Sequence, residues 1–172
     1  MAELELKTGN LNRDTVKRVR QFLVDAGYQD RVMELDDTAR SAEDAAISIG
    51  TELGSIVKSL VFSVQGQLVM ALVAGDHRCA PENLARALNL TGDAGPADAD
   101  TIKQTTGFSI GGVAPIGLST ALPMVIDRSL KRFDTIYAAA GHPHCVFSTN
   151  VEDLKRLTGG IVSYNIAVPA DH

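Results

Sequence analysis

The chain has 172 residues, a mass of 18.3 kDa and a hydrophobic content of 45%. These values are typical of one globular domain with a sizeable core, and we expect a single domain over residues 1–172. A net charge of −5 argues against a protein that coats long nucleic acid, DNA included. Two cysteines are too few for a disulfide framework, and no apolar run reaches the roughly 18 residues of a membrane span. We therefore expect a cytoplasmic protein with no membrane partner.

Residues 1–40 are predicted to form a helix followed by a strand. Asn12 or Asp14 is a suitable N-cap for the helix, and Gly27 is a suitable stop. Apolar residues at helical spacing form one stripe, made of Val16, Val19, Leu23 and Ala26. The strand is expected near residues 31–35.

Residues from about 41 to 167 are predicted to form the core, with helices and strands intermixed. A capping-box-like pair, Ser41 and Asp44, predicts a helix that runs through Leu53 and ends at Gly54. Further helices are predicted after Pro81, from Asp98 to Thr105 and after Asn150, and strands at 55–64, 68–74, 124–126, 135–140, 145–148 and 161–167. The fold class expected from this mixture is α+β.

Lys58 stands where the alternating pattern of a strand calls for a hydrophobic residue. Alternation in segment 55–64 puts one set of side chains on a single face: Ile56, Lys58, Leu60, Phe62 and Val64. Burying an unpaired ammonium is costly, so the Lys58 side chain must reach water at a strand end, pair with a carboxylate or lie beside a wet cleft. Only the cleft would be functional. Gln65 and Gly66 then predict a tight turn into the next strand, which places Lys58 in a hairpin at the middle of a sheet.

Segment 107–117 contains four glycines and one proline in eleven residues. Glycine weakens helices and strands, and proline has no amide hydrogen to donate, so the segment is predicted to be a shaped loop. Its backbone N–H groups would suit an ester carbonyl or a phosphate, and a purely structural turn is the alternative. The spacing matches neither a Walker P-loop nor a dinucleotide fingerprint.

His142, His144 and Cys145 stand close together after an apolar stretch. A metal site is not expected, because the two histidines alternate across a strand and no second ligand cluster follows. A Cys–His nucleophile lacks an orienting third residue, and no GxSxG elbow supports a serine nucleophile. We predict no metal and no cofactor, and hydrogen-bonding or surface roles for the histidines.

Three features occur in a fixed order: a lysine in a strand, a glycine-rich loop ending in proline, and a Gly-His pair before a strand and a helix. The segments that carry them are VKSLVF, AGDHR, TGFSIGGVAPIG, IDRSL and AAGHPHCVFSTNVEDLKRLTGG. With these motifs the chain resembles the YbaK/EbsC family, which is related to the editing insertion domain of bacterial prolyl-tRNA synthetases. The resemblance covers residues from about 41 to 162. It implies a compact, barrel-like mixed sheet flanked by helices, and hydrolysis of amino acids wrongly esterified to tRNA.

The resemblance also implies roles for particular residues. Lys58 matches the family's strand lysine near the scissile ester, and Gly111 and Gly112 belong to the GxxxP loop whose backbone would hold the aminoacyl carbonyl. The remaining substrate-binding candidates implied in this way are Ser59, Phe108, Ile110, Val113, Ala114, Pro115 and His142. Ser59 departs from the asparagine that follows the lysine in some alanine-specific members, so the resemblance leaves the edited amino acid open.

The function implied by the resemblance is trans-editing deacylation of mischarged tRNA that carries a small amino acid such as Cys or Ala, with tRNA-Pro as a candidate. The expected partners are the acceptor end of that tRNA and an aminoacyl-tRNA synthetase. A protein that grips only an RNA end needs few positive groups, and the available ones are Lys58, Arg78, Lys103, Arg128, Lys131 and Arg132. A non-catalytic module that retains the pocket is the alternative, and a serine or cysteine esterase is a third.

Overall fold

A computed structural model describes residues 9–36 and 39–170 and shows a curled, half-barrel sheet with helices around it. Five α-helices occur in these residues: α1 Asp14–Asp25, α2 Ala42–Ile49, α3 Leu84–Ala87, α4 Ala99–Thr106 and α5 Val151–Thr158. Ten strands occur as well: β1 Val32–Glu34, β2 Ile56–Val64, β3 Gln67–Ala74, β4 His77–Cys79, β5 Ala94–Pro96, β6 Met124–Asp127, β7 Ile136–His142, β8 Cys145–Thr149, β9 Ile161–Ser163 and β10 Ala167–Pro169. The predicted α+β class with a barrel-like mixed sheet is confirmed. No helix in the described ranges is both long enough and apolar enough to cross a bilayer.

The large sheet runs in the order β1-β8-β7-β2-β3-β6-β9, and β5 pairs with β2 off this path. The pairs β2–β7, β3–β6 and β6–β9 are parallel, and the other pairs of this sheet are antiparallel. A second, two-stranded sheet joins β4 to β10. The predicted β2–β3 hairpin is therefore confirmed, and it lies at the centre of the large sheet.

The turn of the central hairpin forms as its sequence predicts. Gln65 and Gly66 both have positive φ angles, 49° and 84°, which is the conformation of a type I′ turn. This turn fixes the register in which Val64 faces Gln67 and Lys58 faces Val73. The register matters because a slip of one residue would move Lys58 to the opposite face.

The two faces of β2 pack against different clusters of buried side chains. Val57 and Val61 join the main core, which also contains the buried stripe of α1. Leu60 and Phe62, on the same face as Lys58, pack against a second cluster around Leu84 and Ile166. The predicted alternation is thus correct, and Lys58 lies on the apolar face as expected.

Several helix ends follow from local capping. The side chains of Ser41, Asp98 and Asn150 accept hydrogen bonds from the backbone N–H three residues later, as predicted for α2, α4 and α5. The helix that follows Pro81 is a 3-10 turn that continues into the short α3. Gly27 ends the first helical segment with a φ of 87°.

Other predicted ends were wrong. Neither Asn12 nor Asp14 caps α1, because its N-cap is Arg13, which makes no side-chain capping bond. Ala26 is exposed, since it follows the last residue of that helix. The α2 helix ends at Gly50, with a φ of 82°, and not at Gly54, because the earlier glycine already supplies the left-handed cap.

The last predicted strand, 161–167, is two strands in two sheets. A bend at residues 164–166 separates β9 from β10, and within it the Asn165 N–H donates to the Ser163 hydroxyl. Ile166 is fully buried at this bend, so its apolar side chain serves as an anchor and not as part of a strand. Strands β4 and β5 were not predicted, because three residues carry no readable alternation.

Two glycine substitutions test the hairpin turn. Gly66→Ala is expected to lower the free energy of unfolding by about 1–2 kcal/mol, because alanine resists the φ of 84° although its Cβ would meet open space. Gly95→Ala is the matched control, since its Cβ also meets open space and its φ is not positive. Urea denaturation measures both. Equal effects of the two substitutions would contradict the assigned turn.

Candidate functional site

Lys58 is half-buried, and its ammonium is held by a neutral group. The Nζ donates a hydrogen bond to the main-chain carbonyl oxygen of His77. Within residues 9–36 and 39–170, Lys58 has no carboxylate at ion-pair distance. The sequence left open that Lys58 pairs with a structural carboxylate, and the described residues show no such pair. The carbonyl dipole offsets part of the desolvation cost and leaves the positive charge uncompensated.

The edge of β2 is open beside Lys58. Strand β2 pairs with β7 at Ile56 and Val57, and with β5 from Phe62 to Val64. In the part of the chain that the structure describes, residues 58–61 have no strand partner on this edge. Unpaired backbone groups of a strand edge are available to a ligand.

A cavity of about 610 Å³ occupies this gap in the sheet. Its walls come from β2, from the β7–β8 hairpin, from the glycine-rich loop and from the start of α2. The lining residues from the strands and the hairpin include Lys58, Ser59, Leu60, Tyr137, His144 and Val146. The volume is in the range of small-molecule sites, and most of the lining side chains are apolar. The cavity is thus of a size to hold an aminoacyl group together with part of the ribose that carries it.

The glycine-rich loop is anchored at its start. Phe108 is fully buried, its N–H donates to the Thr106 hydroxyl at 3.0 Å, and the Arg18 guanidinium lies 4.9 Å from its ring centroid. The Arg18 Nη2 also donates to the carbonyl oxygens of Thr106 and Gly117, which lie on either side of the loop. These contacts hold the two ends of the loop together. The middle of the loop, which reaches the cavity, is therefore fixed at both ends.

The two glycines in the middle of the loop play different parts. Gly112 donates its N–H to the Ser109 carbonyl at 3.0 Å, and a Cβ at this position would lie 2.9 Å from the His142 backbone. Its amide therefore closes a turn that packs against the β7–β8 hairpin. Gly111, with a φ of 95°, and Val113 both line the cavity, and neither amide has a hydrogen-bond partner in the described residues. These two amides, together with that of Ile110, are available donors among the loop residues that line the cavity.

The structure brings together only some of the side chains that the sequence singled out. Lys58, Ser59, Ile110, Gly111 and Val113 all line the cavity. Others do not line it: Phe108, Ala114 and Pro115 are buried behind the loop, and Gly112 and His142 line an adjacent groove. Direct substrate contacts by this second group stay predictions.

Most of the other cavity residues were not predicted, among them His144 and Tyr137. His144 follows Pro143 at the tip of the β7–β8 hairpin; its N–H donates to His142 Nδ1 at 3.1 Å, and the two rings make an edge contact. His142 lines the adjacent groove, whereas His144 lines the cavity. Tyr137 and Ala139 are half-buried, whereas the residues that alternate with them in β7 are fully buried. Strand alternation is therefore the signal for the β7 wall of the cavity.

The two thiols are poor candidates for a nucleophile. Burial raises the pKa of Cys145 to about 12, and it raises that of Cys79 to about 11. Cys145 is fully buried in the main core. Since the thiolate is the reactive form, neither side chain is ionised to a useful extent at neutral pH.

The described residues contain no group of three or more His, Cys, Asp or Glu side chains that could hold a metal ion. The polar side chains that line the cavity are instead two cations, hydroxyls and an imidazole: Lys58, Arg40, Ser41, Ser59, Tyr137 and His144. Such a set suits stabilisation of a developing negative charge on a carbonyl oxygen.

His142 offers a pH test of the groove beside the cavity. Burial, followed by the charges of Arg13 and His144, lowers the pKa of His142 below its ordinary value of 6.5. The unfolded chain therefore takes up this proton more readily, and the contribution to stability is lost as pH falls from 6.5 through the lower folded pKa. An NMR titration of the imidazole should give a midpoint below that of the urea-unfolded chain. A midpoint at or above the unfolded one would contradict the described burial.

A family model described as an aminoacyl-tRNA editing domain matches residues 36–157. The uncharacterized protein YwhH of Bacillus subtilis is 29% identical over 145 residues, which cover 84% of this chain and 91% of that protein. A proline--tRNA ligase of Lysinibacillus sphaericus is 29% identical over 92 residues, 54% of this chain but only 16% of the ligase.

Solved structures agree with the sequence comparison. A crystal structure provisionally assigned as a trans-editing enzyme for prolyl tRNA synthetase superposes with a TM-score of 0.83 at 34% identity, over 88% of this chain and 96% of that one. The matched region of this chain includes the lysine strand, the glycine-rich loop and the β7–β8 hairpin that form the cavity. The chain belongs to the family of aminoacyl-tRNA editing domains.

Proposed function

We propose that this protein is a trans-editing deacylase, which hydrolyses the ester of mischarged tRNA that carries a small amino acid such as cysteine or alanine. Membership of the editing family and the similarity to a trans-editing structure support this reading. The candidate tRNA is tRNA-Pro, since part of this chain is similar to part of a proline--tRNA ligase. The compartment we propose is the cytoplasm, where aminoacylated tRNA is used.

One observation carries the proposal. Lys58, whose ammonium no described carboxylate neutralises, lines the same cavity as Gly111 and Val113, whose amides have no hydrogen-bond partner in the described residues. A carbonyl oxygen placed between them would be polarised in the ground state and stabilised as an oxyanion after attack. Because Gly112 already donates to Ser109, we assign the donors to its two neighbours.

The reaction needs no nucleophile from the protein. A water adds to the ester carbonyl carbon, the tetrahedral oxyanion rests against the Lys58 charge and the loop amides, and the bond from carbon to the ribose oxygen then breaks. The ribose oxygen takes the proton that the water loses, so the products are the free amino acid and deacylated tRNA. With a cysteinyl substrate, its own thiol would attack the carbonyl in place of water; the ribose oxygen would leave with the thiol proton, and the product would be a cyclic thiolactone that water then hydrolyses to cysteine. Positioning and electrostatics would supply the acceleration, since aminoacyl esters are already activated.

The walls of the cavity favour a small side chain. Leu60, Tyr137 and Val146 line the cavity and bound the space for an amino-acid side chain, although size alone discriminates one methylene by only about 10–200-fold. Ser59 is the candidate polar contact, because it lines the cavity and its buried Oγ has no hydrogen-bond partner in the described residues. A substrate group that reaches this hydroxyl would satisfy it.

Replacement of Lys58 tests the charge. Lys58→Met keeps the aliphatic stem and is expected to lower kcat/KM for deacylation of a mischarged tRNA by about 100-fold or more, the usual effect of losing one oxyanion donor. Folding should be retained, because removing a half-buried ammonium relieves a desolvation cost. The panel of substrates is tRNA charged with alanine, cysteine or serine, and Lys155→Met, an exposed lysine on α5, is the matched control.

Two outcomes would count against this mechanism. Loss of ester at the background rate for every substrate, with Lys58→Met indistinguishable from the unmodified protein, would leave a non-catalytic binding module. Covalent labelling by an electrophilic inhibitor, with loss of activity, would instead indicate a serine or cysteine esterase.

Replacement of Ser59 separates stability from recognition. Ser59→Ala removes an unsatisfied buried hydroxyl, so the free energy of unfolding should stay the same or rise by about 1 kcal/mol. Deacylation of cysteinyl or seryl substrates should fall relative to alanyl substrate, because only the former carry a polar side-chain atom. Thermal denaturation and the ratio of kcat/KM values measure the two effects. An unchanged ratio would show that Ser59 does not contact the amino-acid side chain.

A further inference from the structure

A second depression is linked to the cavity through the hydrogen bond between Lys58 and His77. Lys58 donates to the main-chain carbonyl of His77, and His77 also lines this depression of about 460 Å³. We call it the basic groove, and its lining includes His77, Asp127, Arg128, Lys131, Arg132 and Tyr164. The sequence had identified three of these cations as available for an RNA end, and the fold places all three here.

The acidic groups at the basic groove are already engaged. Asp127 is 3% exposed, and its oxygens accept hydrogen bonds from Ala74 N–H and from the amide and hydroxyl of Ser129. Asp76 accepts two hydrogen bonds from the Arg132 guanidinium, at 2.8 and 2.9 Å, and one contact from His77 Nδ1 at 2.7 Å. The charge of Arg132 is therefore compensated.

Arg128 and Lys131 give the basic groove a surplus of positive charge, because they outnumber its one lining carboxylate, Asp127. Both are exposed, and neither forms an ion pair with any residue that the structure describes. The chain as a whole has a net charge of −5, so this cationic surface has the opposite sign to the protein's overall charge. Such a surface suits an anionic ligand, above all the phosphates of a nucleic acid.

Tyr164 adds a flat aromatic surface to the basic groove. Its residue is 70% exposed, and the Arg128 guanidinium lies 4.1 Å from the ring centroid. The backbone around it is held, because the Asn165 carbonyl accepts from Asn83 Nδ2 at 2.8 Å and Ile166 is fully buried. The exposed ring is thus presented by an anchored bend, as a platform with planar groups on which a base can stack.

We propose that the basic groove binds the single-stranded 3′ end of an RNA, with the terminal ester at Lys58 and the preceding nucleotides along Arg128, Lys131 and Tyr164. This proposal rests on the proposed function for the position of the ester. A base stacks on the Tyr164–Arg128 pair, and Arg128 and Lys131 contact phosphates. An acidic peptide would use the two cations but would leave the exposed ring without a planar partner.

A binding experiment tests the basic groove without turnover. The probe is a fluorescein-labelled single-stranded RNA ending in CCA, and its binding to the full chain is followed by fluorescence anisotropy. Tyr164→Ala should weaken binding by roughly fivefold to 100-fold, and Tyr164→Phe, which keeps the ring, should restore it. Lys131→Gln should lower the slope of log affinity against log salt by about 0.7, the value for one phosphate contact on a single strand.

The matched control is Lys17→Gln, an exposed lysine on α1 outside the groove, which should bind the probe as the unmodified chain does. Absence of probe binding, or equal binding by Tyr164→Ala and the unmodified chain, would overturn the proposal. Weakening by Lys17→Gln equal to that by Lys131→Gln would overturn it as well, because the attraction would then be general.

A kinetic experiment separates this proposal from the proposed function. Deacylation is measured on mischarged tRNA and on the same amino acid esterified to adenosine, which lacks the preceding nucleotides. Tyr164→Ala and Arg128→Gln should raise KM for the tRNA at least roughly fivefold more than for the adenosine ester. Equal losses on both substrates would overturn the groove. If the unmodified protein hydrolyses neither ester, the deacylase proposal fails, and the anisotropy result still decides whether the groove binds RNA.

Discussion

The contact between the Lys58 ammonium and the His77 carbonyl is the constraint on which the site depends. A lysine opposite Val73 in the middle of a sheet would be unfavourable without a partner for its head group. A carboxylate partner would have neutralised the ammonium, so its charge would not be available to a substrate. A carbonyl holds the ammonium in position and leaves its charge available to a ligand.

The position of that carbonyl is itself determined by long-range contacts. His77 belongs to β4, which pairs with β10, and the neighbouring Asp76 is bound to Arg132. The Arg132 guanidinium keeps the pKa of Asp76 well below its usual range, so this link persists as pH falls until that carboxylate is protonated. One series of contacts therefore runs from the basic groove through His77 to the ammonium in the cavity.

Much of this architecture follows from local sequence rules. Side-chain caps at Ser41, Asp98 and Asn150 act within three residues, and Gln65-Gly66 sets a turn by its own dihedral preferences. Alternation identified the face of Lys58 because the period of a strand is a property of its backbone. Where two local signals competed, as at Gly50 and Gly54, the nearer glycine ended the helix and the prediction was wrong.

The sequence by itself determined that a lysine lies on an apolar strand face and that a glycine-rich loop cannot be regular structure. Only the tertiary structure decided which groups meet. His144 lines the cavity, the Gly112 amide donates to the Ser109 carbonyl, and the Arg128 guanidinium packs against the Tyr164 ring. The physical reason is range. Caps, turns and alternation depend on interactions between residues that are close in the sequence. The gap beside β2 instead exists because β7 and β5, far apart in the chain, pair with different ends of one strand.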